Sequence, residues 1–151
     1  MGTIKGIGPK VVVIDMESSD ACEKDSDSET IASSLVAFTE LVISECKLQF
    51  IAVRQILPRK PEPPFEEYND CVRQINTLVN KALLHIKQAR FWHHRGLSDP
   101  SAAIYLADGV HLNEGGNRAL YKSYSEDISD VTSSVMQYLW LSKSDQNKRN
   151  D

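Results

Sequence analysis

Apolar residues follow two alternating rhythms along this chain. Lys10 to Met16 holds the unbroken run Val11-Val12-Val13-Ile14, introduced by Pro9. A β-branched run of this kind predicts a strand buried on both faces, as in a parallel sheet. Glu17 to Ser28 is polar and acidic and predicts a loop. Ser26 and Glu29 stand at capping-box spacing, and Ile31, Leu35, Phe38, Val42 and Cys46 then recur at helical period. Leu48 to Ile56 predicts a second strand, closed by Leu57-Pro58. The four prolines between Pro58 and Pro64 make a stiff extended loop. An amphipathic helix follows, with Phe65, Tyr68, Val72, Ile75, Val79, Leu83 and Ile86 on one stripe. Ala89 to His94 predicts a short third strand and Arg95 to Ala107 a loop. Leu120, Tyr124, Ile128, Val131, Val135 and Leu139 mark a last helix, and Ser142 to Asp151 is a polar tail.

Strand, helix, strand, helix, strand, helix is the order of an α/β domain with a parallel sheet and right-handed crossovers. In such sheets functional side chains gather beyond the carboxyl ends of the strands. The Glu17–Ser28 loop, the Pro58–Pro64 loop and a turn at Asp108–His111 all fall on that edge. Composition fits one domain: 151 residues, 41% hydrophobic and 25% charged. A formal charge of −4, spread over both signs, offers no basic face for nucleic acid. No apolar run approaches the ~20 residues that cross a bilayer, and the short one at Val11 runs into Asp15 rather than a signal cleavage site. Cys22, Cys46 and Cys71 are odd in number and widely spaced, the usage of reduced thiols in a cytoplasmic setting.

The chemistry is concentrated in Asp108-Gly109-Val110-His111-Leu112-Asn113-Glu114-Gly115-Gly116-Asn117. A carboxylate and an imidazole three residues apart on a glycine-bearing turn can act as a general base, the acid orienting the ring. The plainer alternative is a turn that launches a helix capped by Asn113. His93 and His94 would point to opposite faces of a strand, and His85 sits apart on a helix, so no zinc set assembles. Glu23, Asp25, Asp27 and Glu29 lack the glycine and spacing of a calcium loop. No metal or other cofactor is expected.

Three blocks together resemble the SGNH (GDSL-type) hydrolases. They are Pro9–Ile14 running into Ser18-Ser19-Asp20; Arg54-Gln55-Ile56-Leu57-Pro58-Arg59 with Tyr68-Asn69; and Arg90–His94 with Asp108-Gly109-Val110-His111-Leu112-Asn113 and Gly116. The resemblance covers roughly residues 9–124. It implies a flavodoxin-like, three-layer α/β/α fold and an esterase or acetylhydrolase acting on a small ester or acetylated substrate. Asp108 and His111 match the family's catalytic acid and base.

The sequence also departs from that pattern. It has no G-D-S nucleophile motif, and its match begins at the family's third strand. The expectation is a truncated sheet of about three strands. Residues 1–141 would then form one SGNH hydrolase-like domain, incomplete at its N-terminus, with 142–151 as a tail. Glu17-Ser18-Ser19-Asp20 stands where G-x-N-D is wanted, so Ser19 replaces the oxyanion asparagine. Losing such a donor lowers turnover by ~10²–10³. Ser18 is a weak candidate nucleophile, since serine in a polar loop is more often a turn residue. Gly6 and Gly8 lie too close to the strand to serve as the family's glycine loop. The resulting expectation is a chain inactive alone, or else a degenerate homologue, a pseudoenzyme, kept as a binding domain. A strand at Lys10–Met16 without its family neighbour would be an exposed edge, so self-association is expected and no membrane partner. Light scattering at high protein concentration should show dimers or larger species; a clean monomer contradicts the expectation.

Overall fold

The structure is a computed structural model and describes residues 6–16, 27–60, 66–97, 103–126 and 129. Three strands, β1 (Val11–Ile14), β2 (Phe50–Arg54) and β3 (Ala89–Trp92), form one parallel sheet in the order β1-β2-β3. Val12 lies opposite Ile51, and Val53 opposite Phe91. Helix α1 (Ser28–Cys46) joins the first two strands and α2 (Glu66–Leu83) the next two. The two helices pack against each other on one face of the sheet. That is the result of two right-handed crossovers stepping in the same direction. A further helix, α3, covers 114–126.

Alternation along the strands sorts their side chains. Ile51, Val53 and Phe91 face α1 and α2, where they meet Leu35, Val42, Val72, Ile75, Val79 and Leu83. Arg54 and Trp92 stand on the other face and meet Tyr124 and Ser123 of α3. The sheet therefore lies between helices on both sides, the three-layer α/β arrangement that the family resemblance implies. Polar Arg54 closes an otherwise apolar central strand.

Helix α1 corrects two expectations. Its cap is Asp27 rather than Ser26, which lies outside the described residues; the Asp27 carboxylate accepts from Glu29 and Thr30 amides. Phe38, placed on the core stripe by period alone, is 45% exposed, while Thr39 is fully buried. Thr39 Oγ1 donates to the Leu35 carbonyl at 2.8 Å, so burial leaves no unpaired hydroxyl. The helix ends at Lys47, in the left-handed region at φ 51°, whose amide returns to Ile43 O. On α2 the predicted stripe from Tyr68 to Leu83 is buried as expected, joined by Asn69; Phe65 lies outside the described residues. The later part of the last stripe, from Ile128, and the polar tail also lie outside them.

Ile75 is fully buried at the centre of the α2 stripe. Ile75→Ala should destabilise the chain by roughly 2–5 kcal/mol in urea denaturation. Leu84→Ala, at a residue 78% exposed, should stay within about 0.5 kcal/mol.

Candidate active site

The carboxyl ends of all three strands open into one cavity of 490 Å³. Asp15 follows β1, Gln55 and Arg59 follow β2, and His94 follows β3; Tyr105, His111 and Tyr124 complete the polar lining. Met16, Leu57, Val110, Leu112 and Leu120 supply its apolar walls.

Residues 103–113 form a pinned hairpin that carries the Asp108–His111 turn. Tyr105 pairs with Leu112 in an antiparallel bridge, and Leu106 N–H donates to His111 O at 2.8 Å. Gly109, with φ 69°, lets the chain reverse in a conformation that other residues adopt at a penalty. Asn113 then caps α3: its Oδ1 accepts from the Gly116 amide at 2.9 Å, and its Nδ2 donates to Ala103 O. A Cβ on Gly116 would lie 2.5 Å from Ile104 O, so only glycine lets the helix start this close to the hairpin.

Asp108 is held by three donors. Its Oδ1 accepts from the Val110 and His111 amides, each at 2.9 Å, and its Oδ2 lies 2.7 Å from His111 Nδ1. The His111 ring, followed by the two amides, draws the Asp108 carboxyl down to about 2. An ionised Asp108 accepts the Nδ1 proton, which leaves Nε2 of a neutral His111 ring as its basic nitrogen. The two side chains are 75% and 48% exposed, His111 the more open. The turn is therefore both a helix-launching device and a formed acid–imidazole pair.

A second cluster, with Arg54, His94 and Ser123 buried and Asp15 open to solvent, lies beside this pair. Arg54 spans Asp15 at 3.4 Å and the Tyr124 ring at 3.6 Å, and Tyr124 OH donates to the same Asp15 oxygen. Burial, then the hydrogen bond to Asp15 and its charge, push the Tyr124 phenol up to about 12. His94 Nδ1 sits 2.9 Å from Ser123 Oγ, which accepts from Trp92 Nε1 at 3.2 Å. Desolvation first, and then the Arg54 and His93 charges, lower His94 to about 4, against the pull of Asp15. A neutral His94 accepts the Ser123 hydroxyl proton. At 4% and 1% exposure, Ser123 and His94 form a structural pair, not an offered nucleophile. His93 is exposed with its ring 4.8 Å from Phe91, so the two neighbouring histidines do part.

Sequence reasoning singled out Asp108 and His111; His111 lines the cavity and Asp108 is bonded to its ring. The same reasoning passed over Asp15, Arg54, His94 and Tyr124. The available signal was Arg54, a charge at the end of a buried strand that needed a partner. Ser18, Ser19 and Cys22 lie outside the described residues, and among those described no serine, threonine or cysteine lines this cavity. Among the described residues no helix is long and apolar enough to cross a membrane. Cys46 and Cys71 are free thiols.

An open parallel α/β sheet carrying an acid–imidazole turn beyond its strand ends defines an α/β domain with a candidate acid–base site. A sequence model of the GDSL-like lipase/acylhydrolase family matches residues 3–123, and the chain belongs to that family. No curated protein matches it in sequence. A solved structure provisionally named a platelet activating factor, from Streptococcus pneumonia, shares the fold with a TM-score of 0.64 at 21% identity. The alignment covers 78% of this chain and 58% of that one, so the chain spans less than two thirds of its neighbour.

His94 gives stability a sign with pH. Its folded value near 4 lies below the ordinary 6.5, so the unfolded chain binds a proton that the folded chain refuses. That stability is complete above 6.5 and is lost as pH falls toward 4. Melting temperatures should drop through this window and drop less steeply in His94→Gln. Parallel slopes in the two proteins contradict the assignment.

Proposed function

We propose that this chain carries the acid–base half of an ester or acetyl-ester hydrolase. Asp108 orients the ring and His111 takes the proton from the attacking group through Nε2. The observation that carries the reading is the 2.7 Å Asp108–His111 contact, set by two backbone amides at the rim of the cavity. Membership in the GDSL-like family supports it. The apolar walls from Leu57, Val110 and Leu112 suit a small acyl group. In the full reaction a serine hydroxyl attacks the ester carbonyl, its proton passes to His111 and leaves with the alcohol, and an acyl-serine forms. Water then gives a proton to His111 and attacks that acyl-serine, which releases the acid as His111 returns the proton to the serine. On this reading the serine is not among the described lining residues, and the cycle needs one supplied from outside them.

The absence of serine, threonine and cysteine from the described lining favours a second reading, a binding domain that has kept the turn as structure. A fluorophosphonate probe and an aryl acetate separate the two. Without a serine, an oriented imidazole can still act as a general base on water, a contribution of typically ~10²–10⁴-fold. The expected result is therefore no adduct, with slow aryl acetate hydrolysis that disappears in His111→Ala. Hydrolysis indifferent to His111→Ala overturns the acid–base reading in favour of the binding domain. An adduct on Ser18 or Ser19 overturns the incompleteness of the chain.

A further inference from the structure

The Asp108–His111 pair is too exposed for packing to orient it. Its geometry comes from the backbone of its turn, and that backbone is tied to the segment leaving β2. Lys60 N–H donates to Gly109 O at 2.8 Å, inside the turn itself. Tyr105 OH donates to Pro58 O at 2.7 Å, a second strut between the same two segments. Residues 55–60 are not part of any strand or helix, so something must fix them in turn.

We propose that Asn69 is a positioning residue for the Asp108–His111 pair, acting through the backbone of Arg59 and Lys60. Asn69 stands near the start of α2 and is 7% exposed. Its Oδ1 accepts the Arg59 amide at 2.7 Å, while its Nδ2 donates to Arg59 O at 2.9 Å and to Lys60 O at 3.5 Å. A carboxamide can grip both the N–H and the C=O of one residue; a carboxylate or a methyl cannot. The Arg59 peptide groups are thereby locked to α2, and the next amide, that of Lys60, is aimed at Gly109. Asn76 makes the corresponding grip on Ile56, at 3.0 and 2.8 Å, but three residues earlier in the chain and with no bond to the hairpin. The two asparagines thus divide the work. Asn76 anchors the exit from β2, and Asn69 sets the point at which that segment holds the catalytic turn.

This inference extends the acid–base reading of the same site, but its test needs no substrate. Amide hydrogen exchange at Lys60 and NMR titration of the Asp108 carboxyl are read in Asn69→Ala, Asn69→Asp and Asn76→Ala. In both Asn69 variants Lys60 exchange should quicken about tenfold, roughly the factor one net hydrogen bond supplies. The Asp108 midpoint should rise from about 2 toward 3.8. In Asn76→Ala the Ile56 amide should lose protection, while Lys60 and Asp108 keep their wild-type behaviour. A general loosening of the fold would move all of these together, and that outcome overturns the proposal. Unchanged Lys60 exchange and Asp108 titration in Asn69→Asp overturn it equally, whether or not Asn69→Ala folds. A chain without His111-dependent hydrolysis would refute the acid–base reading and leave these readouts intact.

Discussion

Buried peptide groups must find partners, and that constraint governs the segment leaving β2. Past Arg54 the chain runs part-buried without a ladder or a helix to satisfy it. Gln55 N–H goes to Trp92 O, Ile56 is gripped by Asn76, and Arg59 by Asn69. Gln55 adds its side chain, whose Oε1 accepts the His94 amide at 3.1 Å. Each bond answers a local need, yet together they fix the chain after β3 and the hairpin at 103–113 relative to the sheet. Pro58 helps by lacking an N–H, so only its carbonyl needs a partner, and Tyr105 supplies one. The candidate site is thus assembled by satisfying one irregular stretch of backbone.

Electrostatics then holds the other wall. Arg54 is 7% exposed, and a guanidinium so buried is tolerated only when paired. Asp15 provides the charge and Tyr124 a π-face and a hydroxyl that binds the same carboxylate. Three elements, β1, β2 and α3, are stapled at the cavity floor. His94 beside them stays neutral because burial and the Arg54 charge both oppose protonation. The site therefore holds two imidazoles of opposite character. One is open and matched to a carboxylate, the other closed and matched to a hydroxyl.

Much of this was readable in the chain order. The apolar runs at Val11 and Phe50, the Tyr68–Leu83 stripe and the Asp108–His111 turn all appear where periodicity and turn chemistry put them. Failures arose where a polar residue took an apolar position. Period alone placed Phe38 in the core, but Thr39 fills it because its hydroxyl can bond back to Leu35. The apolar stripe of α2 gave Asn69 and Asn76 no role, whereas they point at backbone 10 and 20 residues away in sequence. Such partners depend on tertiary approach and leave no local pattern. Arg54 did leave one, as a charge where burial was predicted, but its partners come from segments 39 residues upstream and, in α3, far downstream.

The state of the Asp108–His111 pair says less about turnover than its geometry suggests. Asp108 is oriented by the amides of its own turn, and the turn by Gly109, Asn113 and Gly116. None of these contacts involves a nucleophile. The same residues that shape the pair also begin α3, so the fold needs the turn even where no serine meets it. Folding uses the backbone of the motif, with Asp108 as its amide acceptor. It has little use for the His111 imidazole, whose side chain is 75% exposed. His111, rather than Asp108, is therefore the residue whose presence argues for chemistry, and the cavity walls of Leu57, Val110 and Leu112 define where that chemistry would act.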